Sequence, residues 1–122
     1  MRKCSVINTS KPFSIPLTVE FCDAFSNRFL GLMFRQNLAS SEGILLVEPS
    51  ESRLNSAIHM LFMNFDIAVI WLDSNYQVVD LKIARRWSLA HVPARSAQFT
   101  LEIHPTRLSD FAIGDKLILN NV

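Results

Sequence analysis

Ile67-Ala68-Val69-Ile70-Trp71-Leu72 is an unbroken apolar run in which three of the six residues are β-branched. A run this short, with no polar residue on either side of a pleat, suits a strand buried on both faces. It predicts the central strand of the core. His59-Met60-Leu61-Phe62-Met63-Asn64-Phe65-Asp66 leads into it, and Ser74-Asn75 breaks it after Asp73. Val79, Leu81 and Ile83 then alternate with Val78, Asp80 and Lys82, which predicts a second strand with one face towards water and a hairpin between the two.

Outward from this hairpin, Phe13, Ile15, Leu17, Val19 and Phe21 alternate with polar residues, Pro16 apart, at a period of two. Pro16 has no backbone N–H, so this stretch is expected at a sheet edge or divided by a bulge. From Asp23 the period changes. Phe25, Phe29, Leu32 and Met33 fall on one face of a helix that Asp23 could cap, with Gly31 inside it. Ile44 to Val47 reads as a short buried strand ended by Glu48-Pro49, and Ser50 to Asn55 as a mobile polar loop. Arg85 to Arg95 has no clear period and predicts an extended crossing loop with a basic rim. Phe99, Leu101 and Ile103 alternate with Gln98, Thr100 and Glu102 as a half-exposed strand. Pro105-Thr106 starts a short helix through Phe111, and Ala112-Ile113-Gly114-Asp115 turns into a last strand at Lys116 to Leu119. The expected fold is mainly β, a β-sandwich, jelly-roll-like or barrel-like domain with two short helices.

The 122 residues fit a single domain, 1–122, with its core over about 13–119. A formal net charge of +1 gives no general attraction to nucleic acid or membrane, so neither is an expected partner, and any such binding would need a local patch. Cys4 and Cys22 form no metal or redox pair and read as free thiols. The residues after Arg2-Lys3 are too polar for a secretory signal, and no apolar run approaches the ~20 residues of a membrane helix. A soluble, cytoplasmic protein is the expectation.

Chemistry-bearing residues are sparse. His59, His91 and His104 lack metal-ligand spacing, the three glycines form no phosphate loop, and no nucleophile signature is present. No catalytic residue, metal or cofactor is assigned on that basis. The candidates for ligand binding are His59, Asn64 and Asp66 beside the central strand, and Arg85, Arg86, Trp87 and Arg95, part of the one basic and aromatic concentration in the chain. Arginine beside tryptophan suits stacking on a sugar or base, or an anionic partner. Cys22 with a histidine and Asp23 or Asp66 could supply a nucleophile and base, but nothing in the spacing supports it.

Four motifs follow one another in order: Arg28-Phe29-Leu30-Gly31-Leu32-Met33, Glu42-Gly43-Ile44-Leu45-Leu46, His59 to Met63 running into Val69-Ile70-Trp71-Leu72-Asp73, and Leu101-Glu102 followed by Ile113-Gly114-Asp115. In this the chain resembles the bacterial and archaeal family named domain of unknown function 192, from about Phe13 to Leu119. The resemblance implies a compact β domain with a helix carrying the Gly-Leu-Met motif, and no established activity. Relatives commonly have a proline at the position of Asp66, an acid at that of Ala68 and often a basic residue at Asn64. Residues 64, 66 and 68 are expected to share one strand face, so that Asp66 could present its carboxylate near the family's acidic position. Three function classes remain: a non-enzymatic binding domain for a small polar ligand, with a carbohydrate as one candidate; a protein-interaction module using the basic loop and an edge strand; and a hydrolase-like enzyme using His59 and Asp66. The ligand and the oligomeric state are not written in the sequence.

Overall fold

The computed structural model describes residues 2–22, 32 and 35–122. The strands are β1 (Lys3–Asn8), β2 (Leu17–Cys22), β3 (Glu42–Ser52), β4 (Ile58–His59), β5 (Ile67–Leu72), β6 (Val78–Ala84), β7 (Ala90–His91), β8 (Ala97–Ile103) and β9 (Leu117–Asn121), with one 3₁₀ helix at Pro105–Asp110. The fold is mainly β. Seven strands form one mixed sheet in the order β6-β5-β8-β3-β2-β1-β9, and β4 with β7 forms a separate two-stranded ribbon. The helix expected from Asp23 lies outside the described residues, except for Leu32, which is buried.

The seven-stranded sheet curls without closing into a barrel. At one corner its two edge strands meet: Gln77 and Lys116 form an isolated bridge, Val78 N–H donates to Asp115 O, and Leu117 N–H donates to Tyr76 O. The concave face carries the principal core, with Val6, Leu17, Val19, Leu45, Ile70, Leu72, Leu101, Ile103 and Leu117. A second core lies on the other face of β3, β5 and β8, where Ile44, Ile67, Val69 and Trp71 are packed with Leu32, Leu38, Met60 and Met63. All six residues of β5 are therefore buried, as the apolar run predicts.

Local chemistry explains the turns. Asp73 Oδ1 accepts the N–H groups of Asn75 and Gln77, and Tyr76 takes φ 60°, so the β5–β6 turn is held by an aspartate loop. Gly114 lies at φ 95° and donates its N–H to Val78 O. Asp115 Oδ2 accepts from Ala112 N–H and from the buried Asn8 Nδ2. The Ile-Gly-Asp motif is thus a structural joint between the two sheet edges. Pro16 precedes β2, and Phe13 packs on the principal core from outside the strand.

Three strand readings change. β3 continues through Glu48-Pro49 to Ser52, because a register shift against β8 between Val47 and Ser52 accommodates a residue without an N–H. Ser50 to Asn55 is consequently part strand and part anchored turn: Ser56 is buried and its carbonyl accepts Trp71 Nε1 at 2.8 Å. In β6, Val78 is buried and Ile83 is exposed, the reverse of the expected phase, since a bulge between Trp71 and Leu72 turns Val78 inward. β8 is buried on both faces, Thr100 and Glu102 included, because it lies between β5 and β3 with the second core above it.

Glu102 is the energetic exception in that strand. It stands in register with Ile44 and Val69, both members of the second core. Burial raises its pKa from 4.5 to about 7. The folded state therefore holds this proton more tightly than the unfolded chain does. Stability should fall as pH rises from about 4.5 to about 7 and then level off, by a total on the order of 3 kcal/mol. Denaturant midpoints across that window check this, and Glu102→Gln should flatten the profile.

A candidate polar cleft where three strand ends converge

Antiparallel pairing determines which residues gather at one end of the sheet. Ile67 faces Ala84, and Ala68 faces Ile103, so the start of β5 and the ends of β6 and β8 coincide. The residues just beyond those ends are Asp66, Arg86 and His104. They line a cleft of about 290 Å³ together with Gln36, Asn37 and Phe65. Asn64 Nδ2 donates to Arg35 O at 2.7 Å and ties the loop before β5 to the 35–38 wall.

Asp66 Oδ1 accepts Arg86 N–H at 2.9 Å and lies 3.3 Å from Arg86 Nε. The Arg86 side chain is 61% exposed, so the pair adds little stability, and its effect is to orient the guanidinium. Both contacts fall on Oδ1, which leaves Oδ2 open to a further donor. His104 accepts Thr106 N–H at Nδ1, 3.2 Å away, with Thr106 Oγ1 at 2.8 Å. A backbone N–H can only donate, so the neutral ring carries its proton on Nε2. The cleft therefore combines a carboxylate acceptor, guanidinium and imidazole donors, and two side-chain amides.

Of the residues singled out in the sequence, Asp66 and Arg86 are brought together, and Asn64 sits exposed at their border. Residues 64 and 66 precede β5 and do not share a strand face with Ala68, which is fully buried in the principal core. An acid at that position would point inward, away from Asp66. His59 is exposed on β4 and does not line the cleft. Trp87 is 55% exposed and packs edge to face on Phe62 with centroids 5.4 Å apart, so it is not tucked against the sheet. Arg85 and Arg95 are exposed. His104 enters the sequence reading only as a histidine without metal-ligand spacing, and Gln36 and Asn37 do not enter it as site residues, since residues beyond strand ends obey no period.

A second pairing has catalytic residue types. Ser88 Oγ lies 2.6 Å from His91 Nε2 and 2.6 Å from Arg85 O. A carbonyl has no proton, so the hydroxyl must donate to Arg85 O, and His91 then donates to the hydroxyl oxygen. That polarity is opposite to a base activating a nucleophile. Burial, and then Lys82, lowers the His91 pKa, which favours the neutral ring. Among the described residues no group of three or more His, Cys, Asp or Glu could hold a metal ion, and Cys4 and Cys22 are both buried.

The family model of domain of unknown function 192, described as "Uncharacterized ACR", matches residues 6–119. The chain belongs to this family. A UPF0127 protein of Thermococcus gammatolerans is 49% identical over 69% of this chain and 53% of its own length. One from Thermococcus kodakarensis is 42% identical over 80% of this chain and 60% of its own length. The chain thus spans a little over half the length of these two relatives. A UPF0127 protein of Pyrococcus abyssi, 33% identical, matches over 92% of this chain and 94% of its own length. Two crystal structures share the domain-192 fold at 21% identity. One, a provisionally described transcription regulator from Sinorhizobium meliloti 1021, has a TM-score of 0.82 over 97% of this chain and 92% of that one. The other, a protein of unknown function from Novosphingobium aromaticivorans, has a TM-score of 0.75 over 95% and 83%. These likenesses establish the fold alone. No helix among the described residues is long and apolar enough to cross a membrane.

Proposed function

We propose that this domain-192 protein is a non-enzymatic binding domain whose cleft takes a small polar molecule rich in hydroxyl groups, a carbohydrate being the class that fits best. The observation that carries the reading is the alternation of acceptor and donor around one cleft: Asp66 carboxylate, Arg86 guanidinium and His104 Nε2–H, beside the Phe65 ring. A hydroxyl both donates and accepts, so neighbouring hydroxyls are matched by this alternation in a way that a simple anion or cation is not. The same groups supply no activated nucleophile.

The reading is tested by titration calorimetry against a panel of mono- and disaccharides. Asp66→Ala and His104→Ala should each weaken binding at least tenfold, about 1.4 kcal/mol. Asp66→Ala should melt near the parent, because its partner Arg86 is exposed, and His104→Ala, which also removes the acceptor of Thr106 N–H at the start of the 3₁₀ helix, should lose about 1 kcal/mol while staying folded. Retained affinity in both variants would defeat the assignment, as would turnover of the bound sugar that Asp66→Ala abolishes.

A further inference from the structure

We propose that the end of the domain built from residues 53–63 and 85–95 docks onto an anionic lipid surface. The β4–β7 ribbon pairs Ile58 with His91 and His59 with Ala90, which lays the two segments side by side. Met60 N–H donates to Ser88 O, Trp87 N–H to Met60 O, and Arg53 Nε to Pro93 O. The two loops are therefore tied into one surface.

That surface has an unusual composition for a face left to water. Of the twelve exposed large apolar side chains among the described residues, six lie on these two segments, including Leu54 at 79% and Leu89 at 76% exposure. Scattered exposed leucines are ordinary, but a concentration on one end marks a contact surface. Phe62 and Trp87 both take positive φ, 63° and 61°, and meet edge to face at the rim. Bulky residues seldom occupy the left-handed region, and such conformations gather at functional surfaces. Here the strain holds two aromatic rings outward.

Charge selects the occupant. The two segments contain Arg53, Arg85, Arg86 and Arg95; with Lys82 beside His91, Asp66 on Arg86 and Asp80 on Ala94 N–H counted in, five cations less two carboxylates leave a formal +3 against +1 for the whole chain. The net charge of the chain gave no reason to expect a membrane partner, and this is the local patch such binding requires. Arginines pair with lipid phosphates while tryptophan, phenylalanine and leucine enter the boundary between headgroup and acyl chain. Leu54 and Leu89 stand nearly free of their neighbours, which suits a deformable lipid interface better than a rigid protein surface of matching shape. The contact is peripheral and requires no spanning element.

Flotation with vesicles of phosphatidylcholine, alone or mixed with phosphatidylglycerol, tests the proposal on the full chain. Binding should require phosphatidylglycerol and weaken as salt is raised. Trp87→Ser combined with Leu89→Ser, and separately Arg85→Glu combined with Arg95→Glu, should each reduce the bound fraction at least tenfold. All four side chains are exposed, so thermal melts should match the parent, and a melt shift in one pair leaves the other pair to decide. Absence of binding to both vesicle types would overturn the proposal, and so would binding that neither pair reduces. A dimer in sedimentation that the Trp87→Ser, Leu89→Ser pair dissociates, without vesicle binding, would assign the surface to a second copy of the chain instead.

Discussion

Replacing Arg107 by methionine should lower the unfolding free energy by about 3–5 kcal/mol, the range for removing one partner from a buried ionic contact. The Arg107 side chain is only 3% exposed. Its Nε donates to Asp110 Oδ2 at 2.6 Å, one Nη to Ser40 O at 2.6 Å, and the other to Ile15 O at 2.8 Å, while the guanidinium lies 4.9 Å from the centre of the Phe13 ring. One side chain thus joins the 3₁₀ helix to the segment before β2 and the segment before β3. Methionine fills similar volume but leaves the carbonyls of Ser40 and Ile15, and the more distant one of Pro16, without their donor, each costing about 1–3 kcal/mol when buried. A fall in melting temperature on the order of 10 °C or more is expected in calorimetry. Asp110→Asn should cost far less, because that carboxylate is 28% exposed. Equal effects of the two substitutions would show that the ion pair, and not the carbonyl contacts, carries the stability.

Trp71→Ala should be comparably severe, at about 3–5 kcal/mol, since it empties the largest fully buried side chain of the second core. Trp71→Phe separates the two contributions. Phenylalanine keeps most of the packing but removes the Nε1–H that holds Ser56 O, leaving Thr100 Oγ1 at 3.3 Å as the remaining donor to that carbonyl. The expected cost is about 1–2 kcal/mol, the scale of one buried hydrogen bond with some packing loss. It should be accompanied by faster tryptic cleavage after Arg53, because Ser56 Oγ anchors the 52–56 turn through Ser52 O and Arg53 O. Urea denaturation gives the first quantity and limited proteolysis the second.

The legible parts of the sequence were those in which burial is uniform along an element. Ile67 to Leu72 has no polar residue to mislead, and the second core covers it as the apolar run implies. β8 misled for the opposite reason: Thr100 and Glu102 carry polar groups that imply water, yet tertiary position buries both, Glu102 at the cost of its ionisation. Glu48-Pro49 had the chemistry of a strand end, and a register shift absorbed it. The cleft could not be read at all as a unit. Its members are separated by up to 68 positions, from Gln36 to His104, and meet only because three strand ends coincide. Asp66 stands out beside the central strand and Arg86 within the basic and aromatic loop, but nothing in their spacing indicates that they touch.

The place of β1 has a consequence for how the molecule is made. β1 pairs with β9, and Cys4 Sγ reaches Asn121 Oδ1 across 117 residues of chain. During synthesis β1 emerges well before β9 and must wait for it before its second edge is covered, so the sheet cannot be completed until Leu117–Asn121 has left the ribosome. Non-local closure of this kind slows folding and prolongs exposure of unpaired strand edges. A nascent chain stalled before Leu117 would display β1 and the open side of the principal core together, and would depend on chaperones to a degree that the finished domain does not.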